Sequence, residues 1–96
     1  MQTGFNTNCR YQGIVFHVQT EDGGITKPRV VTHLFQEGNV LASLEKEYAD
    51  LVAVPDLGRR VQGWMKVQHQ EMLRQLIRGD HDQAIRGVAQ EEVGGD

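Results

Sequence analysis

The feature that most constrains the fold of this chain is one change in the spacing of its apolar residues. Up to about residue 47, apolar and polar residues alternate, which is the period of a β-strand with one buried face. From 56 to 78, apolar residues recur every three or four positions, as in an amphipathic helix. We therefore predict an α+β fold: a four-stranded antiparallel meander (two hairpins) packed against one long C-terminal helix, with a short helix or tail after it.

Two strands, at 5–11 and from 14 onwards, are predicted to form the first hairpin around a two-residue turn at Gln12-Gly13. This turn places Cys9 opposite Phe16, so the larger apolar side chains of the hairpin share one face. The following residues, 21–28, contain a glycine pair and end in a proline, and they are predicted to be a loop.

The second hairpin is predicted at 29–36 and 39–47, around a turn at Glu37-Gly38. A simple register pairs one apolar row with another: Val31, His33 and Phe35 beside Val40, Ala42 and Leu44. The opposite face of this hairpin is also apolar, and one helix covers only one face of a sheet. We therefore expect the second face to be covered by the chain ends, by sheet curvature or by another copy in a homo-oligomer.

The long helix is predicted to begin after Asp56, as its N-cap, and to end at Arg78-Gly79. Gln68 lies within its inward stripe, so we expect its amide to have a hydrogen-bond partner. That stripe comprises Leu57, Val61, Trp64, Met65, Met72 and Leu76. A short helix from 80 to about 90 is predicted next. Residues 1–90 would form a single domain, and 91–96 a disordered acidic tail.

Composition limits the class of protein. The chain has 96 residues, a net charge of −3 and one cysteine, which fits one domain in a reducing compartment. It contains no apolar run long enough to cross a membrane, and its N-terminus lacks the pattern of a signal peptide. We therefore expect a cytoplasmic protein that does not interact with membranes.

The long helix carries a concentration of positive charge. Residues 56–78 contain five Lys or Arg and two acidic residues, a balance of +3, so the rest of the chain sums to −6. Arg59 and Arg60 lie in the first turn, where the helix dipole disfavours cations by about 0.3–1 kcal/mol. Gly63 costs about 1 kcal/mol relative to alanine within a helix. We predict that the outward face binds a protein partner through Arg59, Arg60, Gly63, Lys66, Val67, Gln70, Arg74 and Ile77. A merely solvated face with a tolerated glycine is the alternative.

Motifs for catalysis, metal binding or cofactor binding are not found in the sequence. Cys9 lies on an apolar strand face, where a thiol is usually inert. His33 is expected on the core face of the second hairpin in a structural hydrogen bond, and His17 is expected to point away from Cys9. No His or Cys spacing is typical of a metal site. We therefore expect no cofactor, no metal and no enzymatic activity.

Nucleic-acid binding is the alternative function, because the cations of the basic helix face suit phosphates. The net negative charge and the scarcity of exposed aromatic residues argue against it.

Four stretches of the chain resemble a small domain of uncharacterised bacterial proteins, notably from myxobacteria. They are FHVQTEDGG (16–24), VVTHLFQEGNVLAS (30–43), YADL (48–51) and MKVQHQEMLRQLIRGDHD (65–82), which lie between residues 16 and 82 and make up just under half of the sequence. The chain is also similar to RomX-like polarity and motility proteins in its size and in its lack of catalytic motifs. The resemblance implies an adaptor in bacterial signalling that acts with a response regulator on a Ras-like small GTPase and promotes nucleotide exchange. It identifies no functional residues.

Overall fold

The computed structural model describes the backbone of residues 1–94 and the side chains of residues 1–88. Four antiparallel strands in the order β1-β2-β3-β4 are followed by two helices, which confirms the predicted α+β meander. The elements are β1 (Phe5–Tyr11), β2 (Ile14–Asp22), β3 (Arg29–Gln36), β4 (Asn39–Glu47), a 3₁₀ turn (Ala49–Leu51), α1 (Leu57–Arg78) and α2 (Asp82–Gly94).

The first hairpin has the predicted register, with Cys9 opposite Phe16. Gln12 and Gly13 both have positive φ, 51° and 78°, as a tight two-residue hairpin turn requires. Strand β2 continues to Asp22, so the prediction that the loop begins at residue 21 was wrong. The Asp22 carboxylate is buried, and it accepts hydrogen bonds from three donors: the backbone N–H groups of Gln2 and Gly24 and the Tyr48 hydroxyl. These bonds hold the end of β2 in the core.

The second hairpin has the predicted strands, and its register is as predicted next to the turn but wrong beyond it. Phe35 pairs with Val40, and a bulge at the next step pairs Leu34 with Ala42. The shift pairs His33 with Ser43, and their side chains form a 2.6 Å hydrogen bond on the sheet face away from α1. The prediction that His33 lies on the core face was therefore wrong.

Helix α1 packs on the face of β3 that carries Val30, Thr32 and Leu34, all of them fully buried. Two buried threonines, Thr20 and Thr32, lie in the middle of this face. These threonines interrupt the apolar pattern of this face in the sequence. For that reason the sequence pattern predicted the opposite face of β3, which carries His33, as the core face. The predicted inward stripe of α1 is correct for its most buried members, which are Val61, Met65, Met72 and Leu76.

The Gln68 amide has the partners that its inward position predicted. Its Nε2 lies 3.1 Å from the backbone oxygens of Val30 and Leu44 and 3.2 Å from the Thr32 hydroxyl, and its two N–H groups are shared among these three acceptors. Gln68 therefore links α1 to β3 and β4 by hydrogen bonds to acceptor oxygens of both strands.

The two ends of α1 differ in the hydrogen bonding of their terminal backbone groups. Asp56 occupies the N-cap position, as predicted, but its φ is 57° and its side chain makes no capping hydrogen bond. Gly79 ends the helix with φ 90°, as predicted, and its N–H bonds to Leu76 O. Ile85 of α2 then joins the core cluster formed on the same side of the sheet.

Helix α2 ends at Gly94, beyond the predicted end near residue 90. The last two residues lie outside the described part of the chain, and the acidic tail stays a prediction. Both helices pack on one side of the sheet, and on the other side Val15 and Val40 are half exposed. Neither helix, over the described residues, is both long and apolar enough to span a bilayer.

Candidate functional site

A groove runs between edge strand β1 and the side of helix α1 that faces it. Its volume is about 610 Å³. Strand β1 contributes Phe5 and Thr7, and α1 contributes Arg59, Gln62, Gly63, Lys66, His69, Gln70 and Leu73. Over the part of the chain that the structure describes, the lining contains two cations, Arg59 and Lys66, and no acidic side chain, and this composition suits an anionic ligand group.

His69 lies at the base of this groove, with only 6% of its surface exposed. Its Nε2 is 2.8 Å from Thr7 Oγ1, and its Nδ1 is 2.8 Å from Thr20 Oγ1. Burial, and secondarily the proximity of His17, lowers the pKa of His69 below its usual value. The imidazole is therefore neutral at pH 7.

The hydrogen bonds continue from His69 into the core. Thr20 Oγ1 lies 2.6 Å from Thr32 Oγ1, and both threonines are fully buried. Thr32 also receives a hydrogen bond from Gln68. A single polar chain thus connects the interior of the sheet to Thr7 at the groove surface.

Four of the eight residues predicted to bind a partner line the groove, namely Arg59, Gly63, Lys66 and Gln70. The other four, which are Arg60, Val67, Arg74 and Ile77, are exposed but lie outside it. Val67 and Ile77 are 63% and 62% exposed, respectively. The structure therefore divides the predicted surface into a groove and an adjoining exposed part of the helix.

The positive charge of α1 is also divided along the helix. Near its C-terminal end, Arg74 lies 3.2 Å from Glu71 and Arg78 lies 2.6 Å from Asp80. A hydrogen bond from Gln75, followed by one from Arg74, lowers the pKa of Glu71. At the N-terminal end, Arg59, Arg60 and Lys66 form no ion pair with any residue described in the structure.

Gly63 is not required by the packing of its own chain. A Cβ atom placed on it would meet no atom within 4 Å. The glycine leaves the helix backbone open along the groove, at a cost of about 1 kcal/mol in helix propensity. A partner that approaches the backbone closely would account for that cost.

The sequence analysis missed Thr7, Thr20 and His69 as a connected group. A signal for His69 was present, because it follows Met65 by four positions and precedes Met72 by three, which places it on the inward side. The threonines had no such signal, since their meeting with His69 depends on how α1 crosses the sheet.

The Thr7 and His69 pair has the spacing of a nucleophile and its general base, but it lacks other parts of such a site. The group behind the imidazole is the Thr20 hydroxyl, whereas a catalytic triad has an orienting carboxylate or amide there. No cluster of three potential metal ligands occurs among the described residues. The geometry suits hydrogen bonding to a ligand better than activation of a nucleophile.

Comparison of the chain with protein-family models, with curated proteins and with solved structures gives no match. The argument about function therefore depends on the groove and on the chemistry of the residues that line it. Those residues include cationic and hydrogen-bonding side chains, such as Arg59, Lys66 and Gln70, and the apolar side chains of Phe5 and Leu73.

Proposed function

We propose that this protein is a non-enzymatic protein-interaction module, and that its groove receives an acidic segment of a partner protein. The observation that carries the proposal is the lining of the groove, to which the described residues contribute Arg59 and Lys66 and no acidic side chain. The predicted residues outside the groove, such as Val67 and Ile77, would add exposed apolar contact area around it.

Strand β1 supplies a second reason to favour a polypeptide ligand. It is at the edge of the sheet and pairs only with β2 among the described strands. An edge strand offers backbone N–H and C=O groups to an extended peptide, and adjacent grooves then select its side chains. The groove between β1 and α1 lies next to this edge strand, where it would receive side chains of a peptide that pairs with β1.

A finer hypothesis comes from the resemblance of the sequence to small myxobacterial polarity proteins. In this hypothesis the module is a bacterial signalling adaptor in cell polarity or motility, acting with a response regulator on a Ras-like GTPase. Promotion of nucleotide exchange requires only that the adaptor bind one conformational state of the GTPase more tightly. Such a role requires no active site in the adaptor itself.

Nucleic-acid binding is the second candidate, favoured by the cations near the start of α1 that form no ion pair with a described residue. Its weakness is that no aromatic side chain among the described residues is fully exposed, as stacking on bases requires. Tyr48 is buried, and the ring of Trp64 is already occupied by Lys46, whose Nζ lies 5.0 Å from the ring centroid. The net charge of −3 also disfavours long-range attraction to a polyanion.

An affinity capture from cells of the source organism tests the proposal. The full chain and its Lys66→Glu variant would be used as baits, and the bound proteins quantified by mass spectrometry after nuclease treatment. We expect a specific partner to be retained by the original chain and lost with the variant. Equal capture by both baits would contradict the proposal. Binding of oligonucleotides at low salt, with a steep salt dependence, would support the second candidate instead.

A further inference from the structure

We infer that the groove contains a carboxylate-recognition site, in which the Thr7 hydroxyl and the cations of Arg59 and Lys66 bind an Asp or Glu side chain of the partner. The inference rests on the proposed function, because it names the chemical group that the groove receives. It follows from the direction of the buried hydrogen bonds behind Thr7.

That direction can be deduced from Gln68. Its Nε2 faces two backbone carbonyl oxygens as well as Thr32 Oγ1, so this nitrogen is the amide donor and Thr32 cannot donate its own hydrogen to it. Thr32 then donates to Thr20, and Thr20 donates to His69 Nδ1. A neutral imidazole that accepts at Nδ1 carries its hydrogen on Nε2, and this N–H donates to Thr7 Oγ1. The hydroxyl hydrogen of Thr7 is left free for a ligand.

The opposite direction leaves a buried group unsatisfied. If Thr7 donated to Nε2, then Nδ1–H would donate to Thr20 and Thr20 to Thr32. Thr32, which is fully buried, would accept from both Thr20 and Gln68, and no acceptor for its own hydrogen lies among the described residues. Because unsatisfied buried hydroxyl groups are disfavoured, the first direction prevails.

The surroundings of Thr7 select a side-chain carboxylate. Arg59 and Lys66 supply positive charge, and arginine binds a carboxylate through two parallel hydrogen bonds. Phe5 and Leu73 supply apolar surface, which suits the methylene groups of an amino-acid side chain better than a free inorganic ion. The same hydrogen-bond direction means that His69 already holds a hydrogen on Nε2 and cannot take the Thr7 proton as a base.

The first test is the tautomer of His69, which is independent of any ligand. Long-range ¹H–¹⁵N correlation spectra of the ¹⁵N-labelled chain at pH 7 distinguish the two tautomers of each neutral imidazole. We expect His69 to be protonated on Nε2 and unprotonated on Nδ1. Protonation on Nδ1 would overturn the inference, because Thr7 would then be committed to His69 as a donor.

The second test is a titration of the labelled chain with N-acetyl-glutamate amide, with N-acetyl-glutamine amide as the neutral control and inorganic phosphate as a competing oxyanion. We expect saturable shifts of the Thr7, Gly63 and Lys66 amides with the glutamate compound only. Thr7→Val should weaken this binding about tenfold, and Thr7→Ser should retain it. Thermal melts of both variants check the fold.

The outcomes of this titration separate the inference from the proposed function. Absence of saturation up to about 50 mM, equal binding of the glutamine compound, or tighter binding of phosphate would overturn the carboxylate site. An unchanged affinity in Thr7→Val would overturn the role of Thr7. If partner capture is still lost in Lys66→Glu, the proposed function stands although this inference fails.

Discussion

His69 Nε2 lies 2.8 Å from Thr7 Oγ1, so this contact joins α1 to β1 across 62 residues of sequence. It places a neutral, buried imidazole directly behind a hydroxyl group at the surface of the groove. The arrangement depends on His69 remaining uncharged, and therefore on pH.

The free energy of unfolding should fall as the pH is lowered below about 6.5, the usual pKa of histidine. Burial lowers the pKa of His69 in the folded state, so the unfolded chain binds more protons in this range. The limiting slope is about 1.4 kcal/mol per pH unit, between the folded and unfolded pKa values of this residue. Urea denaturation at a series of pH values measures it.

Two histidine variants show whether His69 causes this pH dependence. His69→Gln should remove most of it, whereas His33→Gln, on the opposite face of the sheet, should retain it. An identical pH profile in His69→Gln and the original chain would refute the assignment.

Replacement of Tyr48 by Phe should lower the free energy of unfolding by about 1.5–3 kcal/mol, because a hydrogen bond to a buried carboxylate is lost. Burial and then the bond to Asp22 raise the pKa of Tyr48 to about 12. Since the unfolded phenol ionises near pH 10, the stability from this bond should be lost as the pH rises from about 10 to 12. Denaturant titrations at neutral and alkaline pH measure both effects.

Tyr11 provides the control for Tyr48. Its hydroxyl also donates to a carboxylate, Asp82, but at a partly exposed position. Tyr11→Phe should therefore destabilise the protein less than Tyr48→Phe. Equal losses would show that the burial of Asp22 contributes nothing to the strength of its bond.

Gly63→Ala should stabilise the fold and weaken partner binding. The helix gains about 1 kcal/mol, since no atom of the described residues obstructs the added methyl group. The melting temperature should rise by about 4–8 °C. Gly79→Ala is the control with the opposite sign, because the φ of Gly79 is 90° and an alanine there is strained. A lower melting temperature in Gly63→Ala would contradict this account.

Local signals in the sequence were sufficient for the hairpins and for most of the long helix. Gln12-Gly13 and Glu37-Gly38 are the observed turns, and Gly79 ends α1 as predicted. These features depend on neighbouring residues, whose backbone preferences act over a few positions.

The site required contacts that no local pattern contains. The bulge before Ala42 lets both Leu41 and Ala42 pack against the core, and it changes the register of all residues after it. Thr7, Thr20 and His69 are polar residues with no short spacing between them, and they meet only when α1 lies across the sheet. The basic face could be predicted because its residues share one helix, but its division into groove and exterior could not.

The most direct test of the account is a comparison of two adjacent charge reversals, Arg59→Glu and Arg60→Glu. Both arginines lie in the first turn of α1, and only Arg59 lines the groove. Each variant would be titrated by calorimetry against the protein that the original chain captures. The account predicts that Arg59→Glu weakens binding at least about tenfold and that Arg60→Glu changes it less than about threefold, with similar melting temperatures. Equal effects of the two reversals would contradict the claim that the partner binds in the groove.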